Sequence, residues 1–132
     1  MLHLTWAYAQ NTVNKGFANY NNDQYQMYTA IVEAVNQAAK AVNINIIIPS
    51  GTAIQNARSS GLGDTLCRDG HHLSLITGRY IAACAWYEKL TGHSVVGNSF
   101  APASLSESEI SIAQKAADDA ILHPDTVTIR TE

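Results

Sequence analysis

Cysteine, proline and basic residues are all scarce in this 132-residue chain: two cysteines, three prolines and eight lysines and arginines. Cys67 and Cys84 fall in stretches that read as a loop and a helix, and nothing in their spacing pairs them, so both are expected as free thiols. The basic residues are scattered, and the formal charge is −3, which leaves no cationic stripe of the kind that phosphate backbones require. Nucleic acid is therefore not an expected partner. No apolar run approaches the roughly 20 residues that span a bilayer. The start, Met1-Leu2-His3-Leu4-Thr5-Trp6, has no cationic flank followed by an apolar stretch and a small-residue cleavage site. As written, the chain reads as unexported and cytoplasmic, with no membrane partner; as part of a longer precursor it would read as secreted or periplasmic.

What is present is apolar residue, 46% against 14% charged, enough for one domain over residues 1–132 with a real core. Leu2 to Tyr8 is rich in strand formers. Beyond a polar loop holding Asn19 to Asn22, the residues Met27, Ile31, Ala34, Val35, Ala38 and Val42 recur at helical spacing, with Asn22 as the expected N-cap. Ile44 to Ile48 is a β-branched run stopped by Pro49, as in a strand buried beneath helices. Strand, helix, strand in this order is a βαβ unit and favours a parallel sheet.

Three further helices are expected: from about Thr52 to Ser60, from about Leu73 to Leu90 with Gly92 as its stop, and from Ser106 to about Leu122. Ser106 and Glu109 have capping-box spacing. Val127 to Ile129 is a candidate third strand. Four helices against so few strands describe part of a doubly wound α/β domain, or one that completes its sheet through another copy.

The segment Arg68-Asp69-Gly70-His71-His72-Leu73-Ser74 carries the chemistry. A carboxylate three residues before an imidazole can turn back to accept from Nδ1, fixing the tautomer and leaving Nε2 as a base. By spacing alone the same residues also suit a capped helix start with surface histidines, and His71 then reads as a loop histidine. Cys67, Asp69, His71 and His72 are crowded into six residues without a second ligand cluster, so no metal is expected. Gln55, Asn56 and Arg58 follow the Ile44 to Ile48 strand, where open parallel sheets gather ligands, and are candidates for substrate binding. They also suit a polar helix face. Trp6, Tyr8, Trp86 and Tyr87 read as packing aromatics.

Several separated segments resemble one known family in order: Thr5 to Ala9, the string Ile48-Pro49-Ser50-Gly51-Thr52-Ala53-Ile54-Gln55-Asn56-Ala57-Arg58, Gly63-Asp64, Arg68 to Ser74, and Gly78-Arg79-Tyr80. Together, over roughly residues 2–92, they look like an uncharacterised bacterial branch of the SGNH, or GDSL-type, hydrolases. The resemblance implies a partial flavodoxin-like α/β/α three-layer fold with a parallel sheet, few strands and about four helices. It also implies a serine esterase without cofactors, acting on small esters or acylated carbohydrates. Asp-x-x-His is the last block of that superfamily, so Asp69 would orient and His72 would be the general base.

The superfamily's nucleophile block, Gly-Asp-Ser, and its two oxyanion blocks have no counterpart here. Gly63-Asp64-Thr65 lies only four residues before Asp69 and follows no strand. Ser50 lacks the Gly-x-Ser-x-Gly elbow. The hydroxyl must then come from another copy, another chain or a missing N-terminal half. The alternative is a truncated, non-catalytic module for binding or self-association.

Overall fold

The computed structural model describes residues 1–131. The architecture is α/β, with a small parallel sheet and four α-helices: β1 (Leu2–His3), α1 (Gln24–Ala41), β2 (Ile47–Ile48), α2 (Ser50–Arg58), α3 (Thr77–Thr91) and α4 (Glu107–Leu122). A 3-10 helix at Lys15–Tyr20 precedes α1. β1 and β2 pair in parallel, Leu2 opposite Ile47 and His3 opposite Ile48.

Both strands are shorter than their sequence patterns. Ile44 still donates to Ala39 at the end of α1, and Asn43 turns the chain at φ 52°, so β2 starts only at Ile47; Ile46 is exposed. At the far end Leu4 donates to Ile48 and accepts from Gly51 of α2, after which residues 5–9 have no strand partner. Val127 to Ile129 forms no strand. Thr128 N–H is instead held by the Asn56 side chain at 2.8 Å, and Arg130 N–H by Ser59 Oγ at 2.8 Å.

The N-cap of α1 is Asp23, not Asn22: the Asp23 side chain accepts from Gln26 N–H, while Asn22 takes a left-handed turn at φ 54°. The buried face of α1 is Met27, Tyr28, Val32 and Ala39; Ala34, Ala38 and Val42 face outward. The large Tyr28 ring decides this rotation, because it packs inward and its hydroxyl meets Thr52 Oγ1 at 3.1 Å.

α2 begins at Ser50 and is buried along its whole length. α3 begins at Thr77, since Leu73 to Ile76 form its entrance: Ser74 Oγ accepts from Gly78 N–H, and Leu75 and Ile76 are exposed. Gly92 ends α3 at φ 71°, and the Ser106–Glu109 capping box opens α4.

Two apolar clusters hold these elements. Leu4, Ala7, Phe17, Met27, Tyr28 and Val32 join β1 to α1. The second cluster joins α2, α3 and α4 through residues such as Ile54, Ile81 and Ala116, with Leu66 and Trp6 packed in. Residues 4–7 therefore run between the two clusters. Leu4, Ile48, Ile54, Leu66 and Ile81 are each fully buried, and each burial contributes about 1.5–3 kcal/mol. That outweighs a two-residue ladder, so packing rather than sheet pairing stabilises the segment that leads to the Asp-His loop. No helix among the described residues is long and apolar enough to cross a membrane.

Candidate active site

Residues 66–74 form a tight excursion. Arg68 N–H donates to His72 O at 2.9 Å and Ser74 N–H to Leu66 O at 2.8 Å, with Cys67 and Leu73 bridged between them. At the tip Gly70 takes φ 85°, and a Cβ there would lie 2.6 Å from Thr12 Oγ1. Only glycine suits both the turn and this close approach. The segment after β1 grips the tip from the side: Ala9 N–H donates to Gly70 O at 2.8 Å, and Trp6 Nε1 donates to His71 O at 2.8 Å. The aromatic residue read as packing is thus also a strut of the loop.

Within this frame Asp69 accepts three hydrogen bonds. Oδ1 takes the backbone N–H of His72 at 2.7 Å and of His71 at 3.2 Å, and Oδ2 lies 2.7 Å from His72 Nδ1. The His72 backbone N–H, then its ring, hold the Asp69 carboxyl well below the usual carboxylate range. An ionised carboxylate can only accept, so His72 donates from Nδ1, and in the neutral ring Nε2 then carries the lone pair. The His72 side chain is 59% exposed, and among the described residues its Nε2 has no hydrogen-bond partner. The arrangement can accept a proton from a hydroxyl brought to Nε2.

His71 lies beside it, with ring centroids 4.1 Å apart and the Tyr8 ring edge-to-face on its other side. Its Nδ1 is 3.4 Å from Asp69 Oδ1 and makes no hydrogen bond. Arg68 Nε is 3.9 Å from Asp69 Oδ2.

Gln55, Asn56 and Arg58 are all buried, and protein groups engage their polar atoms. Asn56 bridges Ala116 O and Thr128 N–H. Gln55 donates to Gln24 and accepts from Arg58 Nη1. Arg58 Nη2 donates to Ala7 O at 3.0 Å, and its Nε forms an ion pair with Asp64 Oδ1 at 2.9 Å that is too poorly aligned to count as a hydrogen bond. Asp64 in turn accepts from Gln10 N–H at 2.7 Å. The Arg58–Asp64 pair thus ties residues 7–10 to the approach of the Asp-His loop. Nothing in the sequence pattern singled that pair out.

Ser50 is fully buried, and its Oγ has no hydrogen-bond partner. No hydroxyl or thiol among the described residues is hydrogen-bonded to His72. Cys67 and Cys84 are free thiols, and burial pushes Cys84 up to about 11. An apolar groove of about 290 Å³ runs beside α3 between Tyr80, Tyr87 and Phe100, and it shares no lining residue with the Asp-His loop.

A family model described as a domain of unknown function, DUF4886, matches residues 1–120. The chain belongs to the DUF4886 family. A crystal structure of a DUF4886 family protein from Bacteroides uniformis ATCC 8492 is similar, with 53% identity and a TM-score of 0.95 over 97% of this chain. The match takes in 50% of the solved chain, so the present DUF4886 chain spans half the length of that relative. No curated protein matches it.

Proposed function

We propose that this DUF4886 chain is the base-bearing portion of an SGNH-type serine ester hydrolase that acts on small esters or acylated carbohydrates. The observation that carries the reading is the His72–Asp69 pair: Nδ1 bonded to a carboxylate at 2.7 Å, Nε2 free and open to solvent. In a complete site His72 Nε2 takes the proton of a serine hydroxyl as its oxygen attacks the ester carbonyl. The same proton then passes to the leaving alkoxide, while Asp69 stabilises the imidazolium in between. The hydroxyl must come within roughly 3 Å of Nε2. This reading seeks it in another segment or chain, and the double length of the solved relative is consistent with that.

One observation favours a second reading, a non-catalytic module that pairs through its sheet. Leu2 and Leu4 aim their N–H groups at β2, so the N–H and C=O of His3 aim at the opposite edge of β1. No other strand among the described residues pairs there. An open edge of this kind invites a strand from a second copy or from a segment outside this chain.

Hydrolysis of 4-nitrophenyl acetate separates the two. The chain is assayed alone and co-expressed with the other half of the Bacteroides uniformis relative, each with and without His72→Ala. A His72-dependent rate in the complemented sample supports the hydrolase. Equal rates, or none, in the single chain and its His72→Ala variant remove any catalytic claim for this polypeptide by itself, and the same result after complementation removes the hydrolase reading altogether.

A further inference from the structure

The Asp69 carboxylate is faced by two imidazole nitrogens: Nδ1 of His72 lies 2.7 Å from Oδ2 and Nδ1 of His71 lies 3.4 Å from Oδ1. One donor atom from each of these three residues lies within 4.8 Å of the other two. We propose that Asp69, His71 and His72 bind one divalent transition-metal ion of the zinc class, and that this ion and the His72 Nδ1 proton exclude each other.

The donor chemistry fits. Zinc takes imidazole nitrogen and carboxylate oxygen at about 2.0–2.2 Å in a tetrahedron, and sites with three protein ligands complete it with water. That places ligand atoms about 3.4 Å apart, the distance of His71 Nδ1 from Asp69 Oδ1, while His72 Nδ1, 2.7 Å from Oδ2, would have to draw back to admit the ion. The carboxylate is anionic and held in place by backbone N–H groups, and its three hydrogen bonds leave one of about four lone-pair positions unused. His71 Nδ1 is sealed from solvent, makes no hydrogen bond and faces Asp69 Oδ1 at 3.4 Å, so a cation between them would engage both atoms. The loop is fixed from outside by Trp6 and Ala9, so the three groups need little ordering on binding.

The consequence for His72 is specific. A metal ion entering between Nδ1 and Oδ2 takes the Nδ1 lone pair, and the ring proton moves through solvent to Nε2. No net proton is lost, but Nε2 then donates instead of accepting. The binding itself does not depend on the hydrolase reading; its effect as an off-switch for the base does. Arg68, 3.9 Å from Asp69, opposes a cation there.

The test uses tag-free chain, ZnCl2 titration by calorimetry, and 15N spectra of the histidine rings. One zinc ion per chain is expected, weakened about tenfold or more in each of His71→Gln, His72→Gln and Asp69→Asn, unaffected by His93→Gln, and tightened by Arg68→Gln. The His72 ring pattern should change from Nδ1–H to Nε2–H at saturation, with circular dichroism confirming that each variant is folded. Absence of saturable binding, binding unchanged in His71→Gln, or retention of Nδ1–H at saturation would overturn the proposal. Zinc binding by the chain with no His72-dependent esterase activity in the complemented sample leaves it standing while the hydrolase reading falls, and such activity without zinc binding does the reverse.

Discussion

His72 Nδ1 and Asp69 Oδ2 lie 2.7 Å apart while the other Asp69 oxygen holds the backbone N–H groups of the same loop. One carboxylate therefore sets both the path of the loop and the tautomer of the ring. Replacing it by asparagine keeps an acceptor for the backbone but can turn an N–H toward Nδ1, which favours the Nε2–H tautomer. In a complemented, active sample Asp69→Asn is expected to lower kcat by roughly 10³–10⁴-fold with a much smaller change in KM, as for other Asp-oriented histidine bases. A loss confined to KM would show that Asp69 does not orient the base.

Arg58 is 9% exposed, and its guanidinium joins Ala7 O, Gln55 and Asp64. Arg58→Met keeps the stem but leaves Asp64 and the Ala7 carbonyl without their cation. Breaking a buried pair costs about 3–5 kcal/mol, and because Asp64 is about a third exposed the expected loss here is smaller, about 2–3 kcal/mol. Urea denaturation checks this, and a loss under about 0.5 kcal/mol would show that the pair is incidental.

The packing of α2 against the β1 exit rests on one missing side chain. A Cβ on Gly51 would lie 1.9 Å from Thr5 O and 2.7 Å from Thr5 C, both backbone atoms. Neither can swing aside. Gly51→Ala is expected to destabilise by about 3 kcal/mol or more, the upper end of overpacking effects. The companion Gly63→Ala meets nothing within 4 Å and bears only the cost of a left-handed backbone at φ 57°, about 1–2 kcal/mol. Similar melting temperatures for the two variants would contradict this account.

These positions show what was legible in the residues. Capping chemistry is local, so Ser106–Glu109 and Gly92 could be read directly, and so could the turn of Asp69 back toward His72. Asn22 is the expected cap and Asp23 takes the role instead, because either side chain suits a cap and the left-handed turn at Asn22 moves the helix start on by one residue. The sequence leaves Gln55, Asn56 and Arg58 as substrate-binding candidates or a polar helix face, because local pattern says nothing of which partners lie 50 to 70 residues away. Asn56 meets Thr128, and Arg58 meets Ala7. Both strands of the βαβ unit are shorter than their composition suggests. β-branched composition reports a preference for extended backbone, whereas a ladder needs a partner strand alongside, and β1 and β2 offer each other only two residues.

Glu88 is a buried carboxyl on α3, 7% exposed, whose Oε2 accepts from Val95 N–H at 2.9 Å. Burial, with a smaller contribution from Asp118, raises its pKa above the ordinary value even though the Val95 bond opposes the shift. The folded state thus holds this proton more tightly than the unfolded chain, which binds fewer protons once pH passes the ordinary carboxyl value. The stability contributed by neutral Glu88 is complete below that value and is lost as pH rises toward the raised one. Glu88→Gln preserves an acceptor for Val95 without the charge. The variant should melt at the same temperature as the parent near pH 4 and higher than the parent at pH 7.5, followed by circular dichroism. A variant less stable than the parent at pH 7.5 would mean that the ionised carboxylate is favoured in the fold, reversing the direction assigned to its pKa.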